Sequence, residues 1–296
     1  MAPADESVSE LLRGLRHISP VVRVKAARGL VKFNTPPREA FAVLLKAVDD
    51  PEQTVREASI QALATYGQLA LPSLAEFLTH PDKYVRRNAV WAIGKLGPAA
   101  RTVLSDLCIA LLDADPRTAA GAAQALGNMG EAAGPAVPPL VEAMSGTNVV
   151  LCRLAAKSLS QIGQPALVPL IENLRHHDPF VRAEAALALG WMGNVAHEAV
   201  SELVQLVETY RPKVLSRPAA YLQANHSGTV TPPALPATSP QSSEESARLN
   251  GIQALGRIGT TLEPAIELLK EISTLEAEPY RTAAALAIRQ LESSGH

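Results

Sequence analysis

Seven histidines and two cysteines are the residues of this chain whose types invite chemistry, and their spacing decides how far that goes. The histidines are His17, His80, His176, His177, His197, His226 and His296. His17, His80 and the His176–His177 pair recur ahead of similar segments, where polar turn residues are expected. His197-Glu198 is the one His-Glu pair in the sequence. A metal centre needs several ligands brought to one face at matched spacing. No such set is present, so neither a metal nor a cofactor is expected. Cys108 and Cys152 are far apart in apolar context with no CxxC, which reads as two small core thiols. Cys152 stands where related segments carry Arg, so a reactive thiol stays open there. The glycine pairs Gly94/Gly97 and Gly256/Gly259 lack the GxxxxGK[ST] order and the preceding strand of a phosphate loop, and are read as helix endings. No Ser-His-Asp or paired-carboxylate arrangement recurs in register, and no catalytic residue is assigned.

What does recur is a whole segment, and internal repetition decides the fold. With an Arg as position 0 and a closing Gly at +11, the zero positions fall at Arg23, Arg56, Arg86, Ala119, Cys152, Arg182, Arg248 and Arg281. Their spacings are 33, 30, 33, 33, 30, 66 and 33 residues, the 66 being one repeat plus an insertion of similar length. Each unit reads as two helices. The second is expected to open on an X-Pro pair (Ser19-Pro20, Asp50-Pro51, His80-Pro81, Asp115-Pro116, Asp178-Pro179, Glu278-Pro279), with Pro at the first helical position and the residue before it as cap. Apolar residues at −1, +3, +4, +7 and +10 trace one helical face, and the +11 Gly supplies a left-handed end. First helices are expected over Val8–Leu15, Ala40–Val48, Leu71–Leu78, Val137–Met144 and Val168–Leu174, the first with a capping box at Ser7 and Glu10. A lone helix pair cannot bury its apolar face, so the pairs must stack. The expectation is all-α: an α-solenoid superhelix of about eight two-helix repeats, one solenoid over residues 1–296.

Composition agrees. The chain is 47% apolar, which excludes wholesale disorder, yet holds only four Phe, five Tyr and two Trp. Its core must be Ala, Leu, Val and Ile, whose small volumes suit many thin helical layers. With 27 Lys+Arg against 29 Asp+Glu, it is neither a basic nucleic-acid coat nor a polybasic membrane anchor. Two cysteines make no disulfide framework, the polar start shows no secretory signal and no apolar run reaches 18 residues, so a cytoplasmic protein with no membrane partner is expected.

The pattern D-P-x-V-R-x-x-A-A-x-A-L-G-x-L-G, clearest from Asp178 to Gly193, resembles the short HEAT-like repeat first named for phycobilisome lyases, and the resemblance runs from Ser7 to Glu292. It implies a solenoid. The family includes bilin lyases and lyase-like chaperones, deoxyhypusine hydroxylase, alkylpurine glycosylase relatives and scaffolds without chemistry, so fold does not choose among functions. The hydroxylase's di-iron site uses four His-Glu pairs, and His197-Glu198 alone cannot complete it. In such repeats the position-0 Arg is expected to pair with Asp residues at inter-helix turns as a ladder. Ala119 and Cys152 drop two adjacent rungs, which predicts a softer middle unless Arg153 substitutes. Residues 211–246, rich in Pro and Ser, are expected to be a flexible insertion within repeat 7, either tolerated or docking a partner through Pro233-Ala234-Leu235-Pro236.

Variation along the second helices points to a surface. Positions +1, +5 and +9, with +2 beside them, form a ridge expected to face a concave groove. Eight basic residues fall there (Lys25, Arg28, Lys32, Arg87, Lys95, Arg153, Lys157, Arg257) against two acidic ones, Glu57 and Glu184. Both tryptophans, Trp91 and Trp191, lie on it too. Trp and Arg dominate binding hot spots because they desolvate large area while keeping a polar handle. The partner-binding set is therefore Arg28, Lys32, Arg87, Trp91, Lys95, Arg153, Lys157, Trp191 and Arg257. The alternative is a solvated basic face with tryptophans covering gaps between repeats. The first functional expectation is a non-enzymatic scaffold or adaptor binding an acidic protein surface. A bilin lyase or lyase-like chaperone for a chromophore protein comes second, and DNA binding third, since overall charge argues against nucleic acid.

Overall fold

The computed structural model describes residues 7–33, 37–209, 243–259, 262–276 and 278–294, and among them the chain is helical without a strand. It divides into two compact units, residues 1–165 and 166–296. In the first, α1 (Val8–Gly14) packs on α2 (Pro20–Val31), α3 (Arg38–Ala47) on α4 (Gln53–Ala64), and α5 (Leu71–Glu76) on α6 (Lys83–Leu96). Likewise α7 (Leu104–Ala110) packs on α8 (Pro116–Asn128) and α9 (Val137–Met144) on α10 (Val149–Ile162). The second unit carries α11 (Gln164–Asn173), which opens at the boundary, then α12 (Pro179–Met192), α13 (Val200–Thr209), α14 (Ser243–Ile258), α15 (Glu263–Leu275) and α16 (Tyr280–Ser294). Second helices stack on second helices: α2, α4, α6, α8 and α10 in turn, and α12, α14 and α16 in turn. This is the solenoid layout, with a core of Ala, Leu, Val and Ile between the layers.

The helix starts correct the proline expectation. Pro20, Pro116 and Pro179 do open α2, α8 and α12, but Pro51 and Pro81 lie two residues ahead of α4 and α6. The −4 residue is the N-cap of α2, α4, α6, α8, α10 and α12 alike, and in the last four its side chain makes the cap. Asp82 accepts from the Tyr84 N–H (2.8 Å), Asp115 from Thr118 (2.9 Å), Asn148 from Val150 and Leu151, and Asp178 from Phe180 (2.9 Å). Side-chain oxygens there satisfy amides that have no partner inside the helix, whereas a proline merely tolerates the position. The capping box forms as read: Glu10 accepts from the Ser7 N–H at 2.9 Å and Ser7 from the Glu10 N–H at 3.3 Å.

Glycine plays two roles. At +11, Gly67, Gly97, Gly130, Gly163, Gly193 and Gly259 all have positive φ, and among the described residues no other residue type does. At +8, Gly94, Gly127, Gly190 and Gly256 sit inside helices, so they are not the endings the sequence suggests. They let the next second helix come close. A Cβ on Gly94 would lie 3.2 Å from that of Ala125, and one on Gly190 3.1 Å from the Ala254 Cα. Both neighbours stand at +6 of the following repeat.

Of the expected insertion, residues 211–242 lie outside the described residues, Pro233 to Pro236 included. Its last residues, 243–246, are instead the first turn of α14, where the carboxylates Glu244 and Glu245 oppose the positive helix end.

Candidate functional site

Behind the ridge runs the arginine ladder. Each rung is built in two directions. Nη1 of Arg23, Arg56, Arg86 and Arg182 donates to two carbonyls of its own inter-helix turn at 2.7–3.0 Å. In the first unit, the other edge of the guanidinium then takes a carboxylate of the next repeat: Arg23 on Asp50 (2.7 Å), Arg56 on Asp82 (2.9 Å) and Arg86 on Asp113 (2.6 Å). The fork geometry of Arg allows both at once, which Lys cannot do. His80 shows why Arg56 reaches Asp82 instead. Its Nδ1 accepts from the Asp82 N–H at 3.0 Å and its Nε2 meets Asp49 at 2.8 Å, so that turn holds an imidazole where its neighbours hold a carboxylate. His17 and His176 serve their turns in the same way, accepting from Ser19 and Asp178.

The two missing rungs differ. Cys152 is buried and its thiol donates to the Gly146 carbonyl at 3.2 Å, the turn position an Arg would hold. Where Ala119 lacks a guanidinium, the next turn offers Gly146 in place of the acceptor Asp, so donor and acceptor are lost together. In the second unit, Arg248 closes on a Glu rather than an Asp. It is fully buried, donates twice to Glu276 (2.6 Å each) and once to the Val207 carbonyl (2.9 Å), and lies 4.4 Å from the Tyr280 ring centre.

On the first unit's ridge, positions +5 and +9 point outward. Arg28, Lys32, Trp91, Lys95 and Lys157 are exposed, as are the amides Gln61, Gln124, Asn128 and Gln161, and Arg153 at +1. Trp91 is 45% exposed, unusual for an indole inside a helix, and the Lys95 ammonium stands 5.4 Å from its ring centre one turn on. They border a cleft of about 410 Å³ between α6 and α8, floored by Gly94 and Gly121, with Arg117, Gln124 and Asn128 on the far wall. A second cleft, about 860 Å³, opens beside α2, with Val21, Val24, Arg28 and Lys32 along it and Glu52 opposite. Arg87 is not a free cation. It is held bidentate by Asp115, which also caps α8 through Thr118. Arg117, at −2, is exposed on the same face but lies outside positions +1, +2, +5 and +9. Position −2 is one turn ahead of +2 on the same face, and that periodicity finds it.

In the second unit, Trp191 is 44% exposed and Arg257 is exposed. The Arg257 stem lies against Gly190, the residue before Trp191 in α12. Asn250 fastens this face by donating to the Ala183 carbonyl at 2.9 Å.

The Arg87 guanidinium and the Thr118 donors hold the Asp115 carboxyl well below the usual carboxylate range, against the opposing pull of burial. A depressed carboxylate contributes stability that is complete above its ordinary pKa near 4 and fades as pH falls toward its folded value. Asp115→Asn keeps a capping oxygen but loses the charge. Urea titrations are expected to show this variant less stable than wild type at pH 7, with the gap beginning to narrow as pH falls below about 4. A gap that is constant with pH would mean that the Arg87 pair contributes nothing.

Among the described residues, no group of three His, Cys, Asp or Glu comes together as metal ligands, and no helix is long and apolar enough to cross a membrane. His197 is exposed and bonds only locally, to the Asn194 carbonyl at 3.3 Å. Burial pushes the Cys108 thiol up, which works against nucleophilic use.

Stacked helix pairs carrying a ridge of variable residues define an α-solenoid of the repeat class. Residues 8–81, 71–159 and 137–223 match the family model for HEAT repeats, and the chain belongs to that family. A protein of Pseudanabaena tenuis, described as uncharacterized phycocyanin operon protein Y, is 38% identical over 102 residues, 32% of this chain. That match spans only 24% of the relative's own length. Among solved structures, Kap121p bound to Pho4p superposes with a TM-score of 0.60 at 13% identity, covering 96% of this chain and 33% of that one. The CpcE–CpcF complex of phycocyanin lyase from Nostoc sp. gives a TM-score of 0.43 at 18% identity, covering 99% and 96%.

Proposed function

We propose that this chain is a non-enzymatic scaffold or adaptor whose ridge binds an acidic protein surface. The observation that carries this reading is the first unit's outward row: an exposed Trp91 with Lys95 over it, flanked by Arg28, Lys32 and Lys157. Within ridge positions +1, +2, +5 and +9 of that unit, Glu57 is the one carboxylate, and it already accepts from Gln53 at 2.7 Å. Partly exposed aromatics beside cations are what protein hot spots are made of, and such rows steer acidic partners electrostatically. Trp191 and Arg257 are likewise exposed in the second unit.

The test is affinity co-purification from the native extract, wild type beside Trp91→Ala/Lys95→Glu checked for unchanged helicity by circular dichroism. Loss of a hot-spot Trp and reversal of its neighbour are expected to remove specific acidic partners, with at least tenfold less recovered. Equal recovery by both chains would sink the ridge as the site. The likeness to a phycocyanin operon protein favours a second reading, a lyase-like chaperone for a chromophore protein. A free bilin mixed with the chain would then develop a red-shifted absorbance band, and an unchanged spectrum would remove that reading.

A further inference from the structure

The first unit's ridge carries cations at both ends and in the middle: Arg28 and Lys32 on α2, Lys95 on α6, Arg117 on α8 and Lys157 on α10, all exposed. Exposed primary amides accompany them, Gln61 on α4, Gln124 and Asn128 on α8 and Gln161 on α10. Neighbouring helices pack about 8–10 Å apart, so the row from α2 to α10 spans roughly 35–40 Å. A small anion bridges one cleft of such a row and leaves the rest unused. An extended polypeptide advances about 3.3 Å per residue, so about 12 residues cover the row.

We propose that the ridge holds an extended acidic segment of a partner protein, about 12 residues long, running across α2, α4, α6, α8 and α10. This inference rests on the acidic-partner reading above and specifies its shape. Carboxylates at the spacing of α2, α6, α8 and α10 meet their cations, while α4 offers the Gln61 amide. A primary amide offers both a donor and an acceptor, which matches the paired N–H and C=O of an unpaired strand. Trp91 supplies the central apolar contact. Charge density favours peptide over DNA. A duplex carries a negative charge about every 1.7 Å, some twenty along this row, and a handful of cations would leave most of them unneutralised.

The experiment uses the full chain and fluorescein-labelled peptides at 50 mM salt, read by anisotropy: four Glu-Ser-Gly triplets, two such triplets, and four Lys-Ser-Gly triplets, with a labelled 12-base-pair duplex beside them. The longer acidic peptide is expected to bind at least tenfold tighter than the shorter one, and the Lys peptide not at all. Lys32→Glu and Lys157→Glu, at opposite ends of the row, are each expected to weaken the longer peptide severalfold, and Trp91→Ala to do so at the centre. Circular dichroism of each variant separates misfolding from lost contacts. Equal affinity for both acidic lengths, sensitive only to Lys95→Glu, would overturn the extended segment while leaving an acid-binding ridge in place. No acidic peptide binding, or tighter binding of the duplex, would overturn both.

Discussion

Arg248→Met is expected to lower stability by about 3–5 kcal/mol in guanidinium unfolding followed by circular dichroism, because it takes the guanidinium from a buried carboxylate. The Met side chain fills the stem volume but supplies none of the five N–H donors. Glu276, 4% exposed, would lose both of its 2.6 Å partners, and the Val207 carbonyl would lose its 2.9 Å donor. The Tyr280 ring, 4.4 Å from the guanidinium, would lose its cation as well. The informative partner is Arg248→Met/Glu276→Leu. Removing both charges together removes the desolvation cost with the attraction, so the double variant is expected to recover most of the loss. Should the double variant be no more stable than Arg248→Met, the penalty comes from the lost Val207 and Tyr280 contacts and not from a stranded charge.

Gly256→Ala is the second large effect, expected at about 1–3 kcal/mol from overpacking. A Cβ at this position would stand 2.5 Å from the Ala287 Cα and 2.7 Å from its Cβ. Backbone cannot yield as a flexible side chain can, so α14 and α16 must separate. Gly163→Ala is the comparison. Nothing lies within 4 Å of a Cβ there, but φ is +79°, so its cost is backbone strain alone, about 1–3 kcal/mol. Adding Ala287→Gly to Gly256→Ala is expected to restore part of the loss, since it returns the space. The same second change does nothing for Gly163→Ala. Thermal unfolding of the four chains measures this, and failure of Ala287→Gly to help Gly256→Ala would show that the strain lies elsewhere.

The ridge differs from these positions because Trp91, Lys95 and Lys157 are exposed. Trp91, Lys95 and Lys157 were legible from the repeat register alone: at positions where every neighbour varies, side chains are free of the packing that makes +3, +4 and +7 uniform. Arg87 sat in the same register and its role was not legible. It is the Asp115 carboxylate, placed by the next repeat's cap 28 residues on, that takes its charge. Arg117 was not legible for the opposite reason, since it lies one turn outside positions +1, +2, +5 and +9.

The sequence by itself determined the repeat, its two-helix unit and the left-handed +11 glycines, while the arginine ladder was what the family resemblance implied. These three follow from local backbone chemistry and from a spacing of 30 or 33 residues that holds along most of the chain. Tertiary structure alone decided which carboxylate each Arg meets, that the caps stand at −4 where the prolines do not always, and that the +8 glycines are contact points rather than endings. Each of those depends on how closely one helix approaches another. That distance is set by side chains some 30 residues apart, such as Gly94 with Ala125 and Gly256 with Ala287, and no local pattern encodes it.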